Sequence, residues 1–301
     1  MKRYRDILFK GSEKSNCHQL SDDELHNLQK LLLSSYKEIE TVCKKHNISI
    51  SMTGGNAIGA LRHNGFIPWD DDMDLMMSRK DYEIFKRIFK SELGDKYVLN
   101  APNFSKKPTN RFPKILIRGT KFVEMEMDDD DRACIKMDLF ILENIPQNKF
   151  YCLVKGLFCN FLMYIASVVE TYERRYDSSM MNSLDGMKLL RKRVFIGRIF
   201  SFYSSYKWFN IVDKYCQYHK SSNLIGTPTG TYHYFGTIMD KRIIYPLKQV
   251  DYENNKVFIP NQCDKYLKIL YGDYMKIPPV EKREHHFVKK ISFGDYYVEQ
   301  K

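Results

Sequence analysis

The sequence predicts an α+β fold, a mixed sheet with flanking helices and a helical insertion, and three observations carry that prediction. Apolar residues recur at helical spacing after Ser21, and short alternating segments follow between residues 48 and 141. From about residue 150 to 220 the chain turns helical, basic and aromatic, and beyond Gly226 short strands and turns return. The expected divisions are therefore 1–149 for a core with an N-terminal helix, 150–225 for the helical region, and 226–301 for a segment that completes the core.

Ser21 to Glu24 forms a capping box, so a helix is expected there, with Leu25, Leu28, Leu32, Ile39 and Val42 on one face as far as His46. Ile48, Ile50 and Met52 alternate with serines, the period of a half-buried strand, which delivers the turn Thr53-Gly54-Gly55. Asn56 is read as the cap of a short helix through Arg62. If Asp72 to Leu75 is extended, Asp72 and Asp74 share one face while Met73 and Leu75 point into the core. Ser78 and Asp81 mark a second cap, before a helix carrying Tyr82, Phe85, Phe89 and Leu93 that Gly94 ends. Lys114 to Arg118, Phe122 to Met127 and Cys134 to Ile141 read as strands, the last with Asp138 between Met137 and Leu139.

Composition narrows the partners. In 301 residues, 48 Lys and Arg face 37 Asp and Glu, a net charge of +11, with 43% hydrophobic and 14% aromatic residues. Such a chain buries a sizeable core, which excludes disorder and fibres, and the surplus charge favours anionic partners. No RNA-reading motif accompanies it, so no nucleic acid is expected. Seven cysteines with no C-x-x-C pair suggest neither a disulfide framework nor a zinc knuckle. Asp6, Lys10 and Glu13 interrupt the first fifteen residues, so no secretory signal is expected and the location is read as cytoplasmic, with a peripheral place on the inner face of the plasma membrane as an extension of that reading. Cys152 to Val169 reaches the lower length for a membrane span. Lys155, Asn160 and Gly156 favour a buried or an interfacial helix instead.

Three carboxylates on neighbouring strands beside a glycine turn form a hard-oxygen site suited to Mg²⁺, with Mn²⁺ as the alternative, and leave the turn amides to hold phosphate oxygens. Asp72, Asp74 and Asp138 are the candidates, because an acidic pair inside an apolar alternation needs a partner or a metal. Such an ion would bridge a diphosphate and neutralise charge on a transferred phosphoryl group, and Asp138 would either bind it or accept the attacking hydroxyl's proton. The run Asp128 to Asp131 reads as a solvated turn. An EF-hand starting at Asp70 fails on spacing, since its sixth position is Leu75 and its twelfth Asp81.

The stretch from Gly54 through Arg62, His63, Phe66 and Trp69 to Asp70-Asp71-Asp72-Met73-Asp74 resembles the signature of the LicD family, phosphotransferases related to the fukutin group and to the nucleotidyltransferase fold. The resemblance continues through Pro113-Lys114, Met137-Asp138-Leu139-Phe140 and Tyr271 to Pro279, about residues 25 to 290. It implies a nucleotidyltransferase-like core and transfer of a phosphorylated alcohol, phosphocholine or a polyol phosphate, from a CDP-activated donor to a glycan or lipid-linked glycan acceptor. Such acceptors include precursors of lipopolysaccharide, teichoic acid or capsule. Gly54 and Gly55 would then be the donor-phosphate turn, Asp72 with Asp74 the metal pair, and Asp138 the third carboxylate. Asn56 stands where the family usually has Thr or Ser.

Two pairs, Arg62 with His63 and Lys114 with Arg118, are candidates to reach diphosphate oxygens, and Arg283 with His286 to close over the site; surface or structural roles stay open for each. Trp69 walls the site or packs, and Phe66 packs. A nucleotidyltransferase attaching a nucleotide to a small acceptor is the alternative chemistry. A third class, a nucleic-acid or membrane adaptor, rests on the basic segment Lys188 to Arg198, for which contact with an anionic membrane is the preferred role.

Overall fold

Ser21 opens the first helix as its pattern requires. The computed structural model describes residues 17–124, 130, 132–174, 184–283 and 285–296. A short strand β1 (His18–Gln19) precedes α1 (Asp22–Lys45), and the capping box is complete, the Ser21 side chain accepting from the Glu24 amide and the Glu24 carboxylate from the Ser21 amide. Then come β2 (Ile50–Met52), α2 (Gly54–Arg62), β3 (Asp74–Ser78), α3 (Arg79–Leu93), β4 (Tyr97–Asn100), β5 (Lys114–Ile117), β6 (Lys121–Glu124) and β7 (Lys136–Ile145). The helical stretch is α4 (Lys149–Glu173), α5 (Leu184–Phe200) and α6 (Ser205–Cys216). The chain closes with β8 (Leu224–Gly226), β9 (Met239–Asp240), α7 (Lys241–Ile244), β10 (Lys248–Tyr252), β11 (Asn255–Ile259), α8 (Cys263–Tyr271) and β12 (Phe287–Ser292). The α+β class is as expected. The helix α8 lies where only strands and turns were anticipated.

The main sheet runs β2-β3-β7-β5-β4, with β8 and then β9 added along the second half of β7. Among the described strands of this sheet only β3 and β7 pair in parallel; the other neighbours are antiparallel. A second sheet, β1-β12-β6, ties the two ends of the chain to its middle. The strand expected over Phe122 to Met127 is seen as β6, its last three residues lying outside the described ones, as do residues 1–15 and Asp128, Asp129 and Asp131 of the acidic run. Asp130 of that run is described, and its carboxylate caps the backbone amide of Arg132 at 2.8 Å.

Buried apolar side chains form two clusters. The larger packs α1, α2 and α3 on the main sheet, with Tyr36, Met52, Leu75, Phe85 and Leu139 essentially inaccessible. The smaller sits between α4 and α6, around Cys159, Met163, Val169, Trp208 and Val212. Each fully buried side chain of this kind contributes roughly 1.5–3 kcal/mol. The second cluster decides between two sequence readings: α4 buries one face in it and exposes the other, so it is both a core helix and a surface helix. All seven cysteines are free. Arg79 joins the two clusters, its guanidinium bonding Glu143 of β7 and reaching Asp213 of α6 at 2.7 Å.

Candidate active site

Register brings the expected carboxylates together. Asp74 at the start of β3 lies opposite Asp138 of β7, and Lys114 of β5 lies opposite Asp138 on its other side. The Asp138 amide donates to Met73 O at 2.9 Å, and the Lys114 ammonium is 3.2 Å from Asp138 Oδ1. Asp72 precedes β3 on extended chain, with Met73 and Leu75 buried beneath as the alternation predicts. These groups line a cleft of about 770 Å³, walled by Trp69, Phe112, Phe140, Tyr232 and Tyr271.

The glycine turn belongs to the same floor. Thr53 NH donates to Asp74 O at 3.0 Å, and α2 begins at once at Gly54, whose φ is +57°. A Cβ at Gly54 would stand 2.6 Å from Asp74 Oδ2, and one at Gly55 2.6 Å from Asp70 Oδ2. Only glycine lets the helix start press so closely on the carboxylates, and the positive end of the helix faces them.

Asn56 is a correction. It does not cap α2: the cap residue is Thr53, which makes no side-chain capping bond. Asn56 lies inside the helix, fully buried; its Oδ1 accepts from the Asp74 amide at 2.6 Å and its Nδ2 donates to Asp72 O at 3.3 Å. An amide has both a donor and an acceptor for that two-sided clamp, which a hydroxyl of Thr or Ser would satisfy less fully. From inside the helix it shapes the aspartate segment.

The other basic candidates divide. Arg62 lines the cleft and donates to Tyr274 O at 2.6 Å, while burial pulls its pKa down against the opposing pull of Asp70. His63 is turned aside: its Nε2 accepts from Arg62 Nε at 2.9 Å, its ring meets Trp69 edge-on, and burial and the Arg62 charge lower its pKa. Arg118 is a correction. It lies beyond the end of β5, exposed, with Nε on Gly94 O at 3.1 Å and away from the cleft. Arg283 stacks on Trp69, 3.9 Å from the ring centroid, and so holds the cleft wall. His286 enters the site, donating its amide to Asp71 Oδ2 at 2.9 Å with Nδ1 2.6 Å from Asp71 Oδ1. Phe66 packs, edge-on to Tyr252.

Electrostatics mark this floor as strained. Burial pushes Asp72 up to about 6, with repulsion from Asp71 and Asp138 adding and the His286 charge opposing. Burial and then Asp72, Asp138 and Asp70 hold Asp74 well above the ordinary carboxylate range. His286 is raised although burial alone would lower it, because Asp71, Glu124 and Asp72 surround it with negative charge. Lys136 bonds Glu124; burial opposes both charges, yet the pair raises the lysine and depresses the glutamate.

Asp70, Asp71, Glu124 and Lys136 were absent from the sequence candidates, and two of them were legible. Lys136 is two residues before Asp138 on one strand and therefore on its face. Asp71 falls on the inward side of the same alternation as Met73, where a carboxylate needs a partner, and His286 supplies it. Tyr232 and Tyr271 arrive from segments so distant in sequence that spacing carries no signal for them.

The donor set fits a divalent cation. Its oxygens are hard, its carboxylates repel one another as they stand, and Asp138 Oδ1, shielded from solvent, faces the Lys114 ammonium at 3.2 Å without a well-aligned hydrogen bond. Among the described residues, the group that brings one ligand atom each within 4.8 Å of one another is Asp71, Asp72 and His286, and there Asp71 and His286 already engage each other.

Residues 47–143, from the approach to β2 through most of β7, match the family model described as LicD/FKTN/FKRP, nucleotidyltransferase domain. Over these residues the chain is similar to the LicD family. The match contains Gly54, Gly55, the aspartate run, Lys114 and Asp138; His286, Tyr232 and Tyr271 come from outside it. Similarity extends further along one relative, the lipopolysaccharide cholinephosphotransferase LicD of Haemophilus influenzae, 25% identical over 272 residues, which is 88% of this chain and 97% of that protein. An uncharacterized protein of Rickettsia typhi is 31% identical over 71 residues, 24% of this chain and 22% of its own length. A second, from Rickettsia prowazekii, is 35% identical over 68 residues, 21% of this chain and 26% of its own.

Proposed function

We propose that this protein transfers a phosphorylated alcohol, phosphocholine foremost, from a CDP-activated donor to a hydroxyl of a glycan or lipid-linked glycan precursor and releases CMP. The observation that carries the reading is the row Asp74, Asp138 and Lys114 across β3, β7 and β5, set against the glycine-opened helix α2. Asp72, Asp74 and Asp138 would hold Mg²⁺ or Mn²⁺, which supplies charge neutralisation at the donor diphosphate. Similarity to a named cholinephosphotransferase along 88% of the chain supports the substrate class, and the aromatic walls offer faces to a quaternary ammonium.

The acceptor oxygen forms a bond to the phosphorus bearing the alcohol, the bond from that phosphorus to the bridging oxygen breaks, and CMP leaves with the electron pair. Asp138, fixed by its ion pair with Lys114, would hold the cation through one carboxylate oxygen and take the hydroxyl proton on the other. Lys114, Lys136 and His286 face the negative charge on the phosphates, and the α2 amides orient them. Seven free thiols fit a reducing, cytoplasmic setting.

Incubation with a panel of CDP-alcohols, Mg²⁺ and lipid-linked glycan tests this. CMP release with the alcohol phosphate found on the glycan is the expected result. The family description keeps one alternative alive, attack at the nucleoside-linked phosphorus. A nucleotide recovered on the acceptor would establish that chemistry and overturn the transfer proposed here.

A further inference from the structure

Past Lys149 at its start, α4 presents a face to solvent from Phe150 to Tyr164 that carries no charge. Phe150 is 76% exposed and Leu157 57%, and Leu153, Val154, Phe161 and Tyr164 stand out beside them. Lys155, the one charged residue between 150 and 169, turns inward and donates to Tyr215 O at 2.5 Å. The patch continues ring by ring, from Phe161 to Phe200 at 6.5 Å between centroids and on to Phe202 at 6.3 Å, which is 66% exposed at the corner between α5 and α6. Soluble proteins rarely leave so continuous an apolar surface uncovered.

Charge indicates what covers it. On α5, beside exposed Phe195 and Ile199, Lys188, Arg191, Lys192 and Arg198 all face solvent, and none has a salt-bridge partner among the described residues. An apolar strip rimmed by unpaired cations matches the headgroup and upper acyl region of an anionic bilayer. A second copy of the chain would set the same basic rim against itself. A bilayer span is excluded by packing, since the opposite face of α4 holds Cys159, Met163, Ile165 and Val169 in the second core cluster. The strip also leads to the cleft: a side chain at Gly156 of α4 would collide with the Phe235 ring, three residues after the cleft residue Tyr232.

We infer that this protein docks on anionic lipid bilayers through the exposed face of α4 and the α5–α6 corner, the helix lying along the surface over about 24 Å of its length. The inference stands apart from the chemistry proposed above, and its test measures no turnover. The full chain is sedimented with vesicles of phosphatidylcholine alone and of phosphatidylcholine mixed with phosphatidylglycerol. Mixed vesicles are expected to bind it at least ~10-fold more tightly, and each of two double variants, Leu157→Glu with Phe161→Glu and Lys188→Glu with Arg191→Glu, to weaken that binding ~10-fold or more. Circular dichroism melts of both variants check that they fold. Trp208, whose ring lies 5.7 Å from that of Phe202, reports independently: bromine-labelled acyl chains are expected to quench its fluorescence. Absence of binding to mixed vesicles, or binding untouched in both folded variants, overturns the inference. A wild-type dimer that Leu157→Glu with Phe161→Glu dissociates assigns the face to a second copy and overturns it equally.

Discussion

The cleft and the three-helix region break the usual rule of burial in opposite directions. The cleft draws carboxylates out of water and lets them repel, raising Asp72 and Asp74, while α4 and α5 leave phenylalanine and leucine in water. Neither departure stabilises the chain on its own. Local choices that conflict with folding concentrate where a protein meets something else, so the cleft points to a charged ligand and the helical face to an apolar surface. Arg79 is where the two regions are joined, and it sets the largest expected effect. Arg79→Met leaves Glu143 and Asp213, both buried, without their shared cation; a loss of roughly 3–5 kcal/mol follows from breaking such a pair. Chemical denaturation measures the loss, and hydrogen exchange should show α6 opening before β3 and β7.

Next in size is the loss of turnover in the cleft. Asp72→Asn or Asp74→Asn is expected to cut CMP release by at least ~10²-fold while circular dichroism stays native, since the electrostatic stabilisation of the transferred group goes while the fold remains. Full turnover in both variants would separate the acidic floor from the chemistry. Sedimentation with anionic vesicles should not change in either, which keeps the two regions' functions distinct.

Stability should respond to pH in a direction fixed by the burial of Asp72, to which repulsion from Asp71 and Asp138 adds. Asp72 in the folded chain titrates at about 6, above its ordinary value of 3.8, so the folded state binds the extra proton between those values. That contribution is fully present below about pH 4 and is lost as pH rises through 6, on the order of 2–3 kcal/mol. Without divalent cation, Asp72→Asn is therefore expected to melt about 4 °C above the parent at pH 7.5 and close to it at pH 4. Millimolar Mg²⁺ should raise the parent's melting temperature at pH 7.5 and leave that of Asp72→Asn nearly unmoved. An equal Mg²⁺ response in both would remove Asp72 from the cation's ligands.

What could be read from the sequence follows from the range of the interaction involved. The Ser21 capping box and the opposed faces of Met73 and Asp74 are local, and each is found where its spacing places it, whereas the strand at Ile50 forms but is not half-buried, Ser51 being as buried as Ile50 and Met52. Asn56 misled because its residue type suits a cap, while a contact with strand residues 16 and 18 positions later claimed its amide. The α4 face was ambiguous for another reason: hydropathy alone does not distinguish a helix buried on one side from one buried all round, and the partners α5 and α6 decide it.

Arg118 carries the smallest expected effect and isolates the cleft most sharply. Even spacing on one strand puts Lys114 and Arg118 on a common face, but four residues of extended chain separate them by about 13 Å. Lys114 meets Asp138 across the β5–β7 ladder, whereas Arg118 bonds Gly94 O at the turn after α3. Arg118→Ala is accordingly expected to change CMP release less than ~2-fold, and Lys114→Ala at least ~10-fold, because only the latter removes a cation beside the phosphates. Equal effects in a steady-state assay would mean that the field of the whole basic chain, not its placement at the cleft, stabilises the phosphates.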